Sequence, residues 1–274
     1  MNLSGKNIMV TGSNTGIGRA TAQDLARRGA HLILACRSGE KTAPVVDAIR
    51  AAGGTAEHLA LDLGDLAAVR ASAATFLATG RPLHQLINNA GLAGSRGLTK
   101  DGFELVFGVN HLGPYLFTRL LLPALEKTDR PRVINVSSQS HYRAKGFDWE
   151  ALRKPTITRT ALPEYSVSKL ANVLFTRELI RRHPTVESCS LHPGVVGSDV
   201  WRGVPWGLRH FMKLFMLTNE QGAQTTIHCA TTDDLKNGAY YDKSKVRVPN
   251  PLADDVKMAR ELWEKSAEWV GLPV

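Results

Sequence analysis

A single α/β domain, built on a doubly wound parallel sheet of about seven strands with helices on both faces, is what this 274-residue chain predicts. Three observations carry that expectation. Short apolar runs alternate with longer segments of helical period, as when strands are buried on both faces by the helices that connect them. Several of these runs stop at small polar or glycine-rich stretches, and open α/β sheets bind ligands at the carboxyl ends of their strands. The composition, 43% hydrophobic and 22% charged, supplies one large core, and no linker, repeat or low-complexity segment divides residues 1–274.

The same bounds exclude several classes. A formal charge of +9 with a pI near 9.6 is compatible with an anionic ligand. The basic residues are dispersed, however, with only short pairs such as Arg27-Arg28 and Arg181-Arg182, so no nucleic-acid surface is expected. Cys36, Cys189 and Cys229 are far apart and form no ligand-spaced cluster, which argues against a disulfide framework or a metal site. No apolar run reaches membrane-spanning length, and residues 1–6 lead directly into a strand-like segment. The expectation is a soluble, cytoplasmic protein.

Taken in order, Asn7 to Thr11 read as an apolar strand ending in Gly12-Ser13-Asn14-Thr15-Gly16-Ile17-Gly18, before a helical run from Ala20 to Arg28. Strand, glycine-rich turn and helix are the context of a Rossmann-type dinucleotide loop, in which glycines admit the pyrophosphate and the helix N-terminus offers free N–H donors. The spacing is G-x-x-x-G-x-G. The next strand, Ala30 to Ala35, ends in Cys36-Arg37 where an NAD site would carry a carboxylate. The Arg37 guanidinium suits a 2′-phosphate, so NADP(H) is the expected cofactor.

After a helix from Ala43 to Ala52, the strand Ala56 to Leu61 delivers Asp62 and Leu63. Asp62 is either an acceptor for an adenine amino group or an acid at the N-terminus of the helix near Asp65. Strand Leu83 to Ile87 runs into Asn88-Asn89-Ala90-Gly91, a second polar strand end. A long helical segment, Asp101 to Glu126, then places Asn110 among Val106, Val109 and Leu112, where a polar group needs a partner. Pro114, lacking an N–H, is expected to free the Asn110 carbonyl and kink that helix.

Strand Arg132 to Val136 ends in Ser137-Ser138, whose hydroxyl could donate to a carbonyl oxygen, and no Gly-x-Ser-x-Gly elbow surrounds it. Residues 139–163 are irregular and basic, a long loop expected to border the substrate. Tyr165 and Lys169 follow, four apart on one helix face. An ammonium beside the phenol should lower its pKa toward general acid/base use. Strand Ser188 to Leu191 leads to His192-Pro193-Gly194, with His192 read as a packed or capping side chain. The apolar stripe in 199–218 is either core or a lid. Ala239 to Asp242 and Leu252 to Trp269 read as the last strand and helix.

Thr11 to Gly18, Asn88 to Gly91, Asn110, Ser138, Tyr165, Lys169 and Pro193-Gly194, in this order, resemble the short-chain dehydrogenase/reductase superfamily. Ala35-Cys36-Arg37, Val109 to Gly113 and Glu220 to Gln224 look most like its retinol dehydrogenase branch. That resemblance implies an NADP(H)-dependent enzyme interconverting an alcohol and a carbonyl on a small, largely apolar substrate. Tyr165 would move the proton, Ser138 would hydrogen-bond the substrate oxygen, Lys169 would hold the nicotinamide ribose, and Asn110 would link Lys169 to solvent. It also implies cofactor contacts along Gly12 to Gly18, at Asn89, Ala90 and Gly91, and at Pro193, Gly194, Val196 and Ser198. No metal is implied. A homo-oligomer through the Asp101 and Tyr165 helices follows the family's habit. Reduction of a carbon–carbon double bond, or a non-catalytic NADP(H) sensor on the same fold, are the alternatives.

Overall fold

The computed structural model describes residues 1–194 and 217–274. Its sheet has eight strands, in the order β3-β2-β1-β4-β5-β6-β7-β8. They are β1 (Asn7–Thr11), β2 (His31–Cys36), β3 (Thr55–Ala60), β4 (Gln85–Asn88), β5 (Arg132–Val136), β6 (Glu187–His192), β7 (Tyr240–Asp242) and β8 (Lys245–Arg247). The first seven pair in parallel and β8 closes the edge as an antiparallel hairpin with β7. The order in which strands are added reverses between β1 and β4, which run parallel, so the glycine-rich loop after β1 opens beside the Asn88-Asn89 end of β4. That is the switch point at which such sheets bind ligands.

Helices cover both faces. Helices α1 (Gly16–Arg27) and α2 (Gly39–Ala51) bury Leu25, Val45, Val46 and Ile49 on one side of the sheet. The other side is taken by α3 (Leu66–Ala78), α4 (Leu105–Phe107), α5 (Gly113–Leu125) and α6 (Leu162–Arg182), whose apolar faces join a larger cluster around Phe107, Leu116 and Leu170. Helix α7 (Asn219–Thr231) returns to the first face, where Ala223 and Ile227 meet Ile17 and Ala20 of α1. Helix α8 (Val256–Val270) closes the second face over α5 and α6. There, Trp263 meets Tyr115 edge-on at 5.2 Å and stacks with Phe175 at 5.9 Å.

Several elements depart from the sequence expectation. The eighth strand was not expected, because Lys245, Val246 and Arg247 are all exposed and carry no burial pattern. The sequence places only the start of α3, near Asp65, and does not announce α7. Alanines blur the apolar face of α3, and the signal for α7 is its cap: Thr218 and Gln221 bond reciprocally across the first turn.

The segment from Asp101 to Glu126 is not one helix. Gly102 has φ +79°, and the Glu104 carboxylate starts the helix instead, accepting the Phe107 N–H at 2.7 Å. Residues Gly108–Leu112 then form a π-helical turn in which the Gly113 N–H reaches the Gly108 carbonyl five residues back. The disruption expected at Pro114 therefore begins before the proline, as a widened turn.

Residues 139–163 are more ordered than a loop. They hold short 3-10 turns at Gln139–Arg143 and Ala151–Arg153, and Leu162 and Pro163 already belong to α6. Phe147 and Trp149 stack at 4.8 Å and pack on the second core, with Trp149 against Trp269.

Candidate active site

One cleft of about 900 Å³ runs along the carboxyl ends of β1 to β6. At its floor the glycine-rich loop is clamped to β4. The Thr11 hydroxyl accepts the N–H groups of Asn89 and Ala90, each at 3.0 Å, and the Asn89 side-chain amide donates to the Thr11 carbonyl at 2.9 Å. Gly18 lies in the first turn of α1 against this clamp. A Cβ there would fall 2.4 Å from the Gly12 oxygen and 2.5 Å from Asn89 Nδ2, so only glycine lets loop, helix and strand meet. The N-terminus of α1 lies at the cleft, whose lining includes Asn14, Thr15, Gly16, Ile17 and Gly18, and it brings the positive end of the helix dipole there.

Most of the expected residues come together here. Gly12, Asn14, Thr15, Gly16, Ile17 and Gly18 line the cleft, as do Arg37, Asp62, Leu63, Asn89, Ala90, Gly91, Ser138, Tyr165, Lys169, Pro193 and Gly194. Ser13 does not. It is buried under the loop, where its hydroxyl donates to the Val10 carbonyl at 3.0 Å and its N–H to the Cys36 sulfur at 3.2 Å. The cap of α3 is Asp65 and not Asp62, which lines the cleft. Val196, Ser198 and 199–216 lie outside the described residues. Of residues 139–163, only Gln139, Ser140, Tyr142 and Arg143 reach the cleft.

Asn110 also stands behind the wall. It is fully buried; its Oδ1 accepts the Leu92 N–H at 2.7 Å, and its Nδ2 donates to the Leu92 carbonyl at 2.9 Å and the Ser168 hydroxyl at 3.0 Å. The side chain thus braces the strand end at Gly91-Leu92 against α6, one residue from Lys169.

The reactive corner lies between β5 and α6. Lys169 Nζ donates to the Val136 carbonyl at 2.8 Å and sits 5.6 Å from the centroid of the Tyr165 ring. The electrostatics differ from the sequence expectation. Burial dominates: it raises the Tyr165 pKa, offset in part by the Ser138 side chain, and brings Lys169 down to about 7. In the chain itself the lysine does not pull the phenol below its ordinary range, because the ammonium pays the same desolvation cost.

Other lining residues carried no motif. Ser38 caps α2, and Lys41 follows in its first turn beside Arg37; the serine before a helical run is the signal that could have found them. His192 also lines the cleft, and burial lowers its pKa to about 4. Among the described residues there is no group of three His, Cys, Asp or Glu placed to hold a metal ion, and no helix is long and apolar enough to cross a membrane.

The family model for short chain dehydrogenases matches residues 6–150, which carry the glycine-rich loop and Ser138 and end before Tyr165 and Lys169, and the chain belongs to the short-chain dehydrogenase/reductase family. Its relatives lie in the retinol dehydrogenase branch. It is 42% identical to retinol dehydrogenase 11 of Homo sapiens, over 99% of this chain and 88% of that protein. Identity is 41% to dehydrogenase/reductase SDR family member 13 of Homo sapiens, over 99% and 74% of the two chains. Among solved structures, an uncharacterized protein from Mycobacterium paratuberculosis superposes with a TM-score of 0.80 at 32% identity, covering 99% of this chain and 96% of that one. A metagenomic short-chain oxidoreductase in complex with NADP gives a TM-score of 0.61 at 28% identity, over 88% and 97%.

Proposed function

We propose that this protein is an NADP(H)-dependent oxidoreductase that interconverts an alcohol and a carbonyl on a largely apolar substrate. The observation that carries this reading is that the glycine-rich loop, Arg37 and the Ser138-Tyr165-Lys169 corner all line the same cleft. The residues present fit a dinucleotide. Side-chain-free glycine and a helix N-terminus suit a pyrophosphate, and Arg37 with Lys41 suits a ribose 2′-phosphate at the capped N-terminus of α2. The complex of a relative with NADP supports the same choice.

A bound nicotinamide supplies or accepts the hydride. Everything else falls to the chain. Tyr165, kept a phenol at neutral pH by burial, gives its proton to the carbonyl oxygen in reduction and takes it back in oxidation. Ser138 donates a hydrogen bond to that oxygen as its charge grows. Lys169, when charged, favours the phenolate that Tyr165 leaves behind. Leu92, Leu98, Leu105 and Val109 line the same cleft as these polar groups, and that apolar lining supports an apolar substrate body.

A spectrophotometric screen of NADPH and NADH oxidation over aldehydes, ketones, quinones and enones tests the reading. Turnover of bulky apolar aldehydes or ketones with NADPH is expected. Preference for small polar carbonyl compounds such as pyruvate, or turnover confined to enones, would overturn it.

A further inference from the structure

The 3-10 turn that follows Ser138 is held by a buried imidazole to which no role has yet been given. His141 has no solvent exposure. Its Nδ1 stands 2.6 Å from the Ser138 carbonyl oxygen, and its Nε2 stands 3.0 Å from the backbone nitrogen of Asn250. An amide N–H can only donate, so Nε2 is the acceptor and Nδ1 carries the hydrogen. The ring therefore donates to Ser138 and cannot do so from the other tautomer.

The partner that fixes this tautomer is itself fixed. Asn250 Nδ2 donates to the carbonyls of His141 at 2.9 Å and Ala144 at 3.1 Å, while its Oδ1 accepts the Leu252 N–H at 2.9 Å. Proline flanks it on both sides, at 249 and 251. The rings of Tyr142 and Tyr240 lie 4.0 and 4.5 Å from the imidazole and hold its plane. A segment more than a hundred residues away in sequence thus sets the orientation of a group bonded to Ser138.

Ser138 needs such support. Its Oγ already accepts the Ser140 N–H at 3.2 Å, so the direction of its own hydrogen depends on where the backbone of this turn sits. A catalytic donor must be held to within about half an ångström of its productive position.

We propose that His141, oriented by Asn250, is a positioning residue that aims the Ser138 hydroxyl at the reacting oxygen by donating from Nδ1 to the Ser138 carbonyl. The proposal rests on the reading of Ser138 as a hydrogen-bond donor in carbonyl–alcohol chemistry. It adds to the site two residues that do not line the cleft and carry no motif.

Two substitutions divide the ring. In His141→Asn the amide nitrogen falls near the place of Nδ1 and keeps the bond to Ser138 while losing the acceptor for Asn250. In His141→Gln the amide oxygen falls near Nε2 and keeps Asn250 while losing Ser138. Expected is a fall in kcat of about tenfold or more for His141→Gln with cofactor KM unchanged, and a smaller fall for His141→Asn, at similar losses of thermal stability. In a Ser138→Ala background, His141→Gln should cost no further turnover. Equal losses of kcat in the two variants, or a full additional loss on top of Ser138→Ala, would overturn the proposal.

Nitrogen-15 NMR of the histidine-labelled parent protein reads the tautomer without any turnover. An imidazole protonated at Nδ1 at neutral pH is expected; an Nε2–H tautomer or an imidazolium overturns the proposal even if the variants fail to fold. A parent protein that turns over no carbonyl substrate defeats the functional reading, while the NMR result still judges His141.

Discussion

Lys169 Nζ donates to the carbonyl oxygen of Val136 at 2.8 Å, and this one bond ties helix α6 to the strand that delivers Ser137 and Ser138. The ammonium is spent on the backbone while it sits beside Tyr165, and burial has brought its pKa to about 7. The charged form is full below that value and is lost as pH rises through it. The free enzyme's kcat/KM for reduction should therefore decline above about pH 7. Lys169→Met should remove that inflection and lower activity by about a hundredfold. A variant profile that keeps the inflection would show that another group titrates there.

Tyr165→Phe removes the hydroxyl but leaves the ring that packs against Ala93 and Val106. Turnover should fall by about 10² to 10⁴, with NADPH binding, read by fluorescence, unchanged. Retention of more than half the parent activity would exclude Tyr165 as the proton donor.

Arg37 and Lys41 border the same end of the cleft. Arg37→Ala should lower kcat/KM for NADPH by about 10- to 100-fold, the worth of one charge-assisted contact, and leave NADH nearly unaffected. This is a cleaner probe than a carboxylate placed at position 36, since Cys36 is buried with its sulfur accepting the Ser13 N–H. An unchanged ratio between the two cofactors would refute the 2′-phosphate reading.

The parallel sheet and the cleft were legible because strand burial and ligand contact both leave contiguous marks: apolar runs that stop at glycine or small polar residues. Gly12 to Gly18, Asn89 to Gly91 and Tyr165 to Lys169 are such marks. His141 and Asn250 were not legible, because two ordinary side chains far apart in sequence acquire meaning only when β5 and the segment after β8 meet. The Tyr165 pKa was misjudged for a related reason. A four-residue spacing announces the lysine but not how deeply the pair is buried, and burial shifts both groups toward neutrality. The π turn was hidden too, since Pro114 marks a break but not the register of the bonds before it.

Gly113 sits at the end of that π turn with no room for a side chain: a Cβ would fall 2.4 Å from the Leu63 carbonyl oxygen. Leu63 and Asp62 line the cleft just beyond. Gly113→Ala should therefore cost about 1 to 3 kcal/mol of stability through overpacking and raise the KM for the dinucleotide by displacing the Asp62-Leu63 turn. Loss of stability with an unchanged cofactor KM would mean that the turn does not transmit the strain.

Burial holds the pKa values of four histidines below the ordinary value of 6.5: His111 at about 3, His192 at about 4, and His84 and His141 lower by direction. The unfolded chain takes up protons below about 6.5 that the folded chain refuses until far lower. Stability is thus full above pH 6.5 and lost progressively as pH falls toward 3. Urea midpoints at pH 7.5 and 5.0 should differ, and His111→Gln, which can keep the bond to Ser266, should narrow the gap. An identical gap in the variant would remove His111 from the account.

Helix α8 has a consequence for the order of events during synthesis. Until it docks, the outer faces of α5 and α6 expose Tyr115 and Phe175, and Trp263 must arrive from about 150 positions later in the chain, at 3.2 Å from backbone oxygen to Tyr115 hydroxyl, to cover them. Arg119 and Arg182 then close over its ring at 4.7 and 5.1 Å. A nascent chain that has completed the catalytic helix is still a sticky intermediate, with an aromatic face open to chaperones, proteases or a second unfinished copy. The last helix acts as a clasp on translation's product: the site can be assembled in outline before it arrives, but the aromatic face of Tyr115 and Phe175 is covered only afterwards.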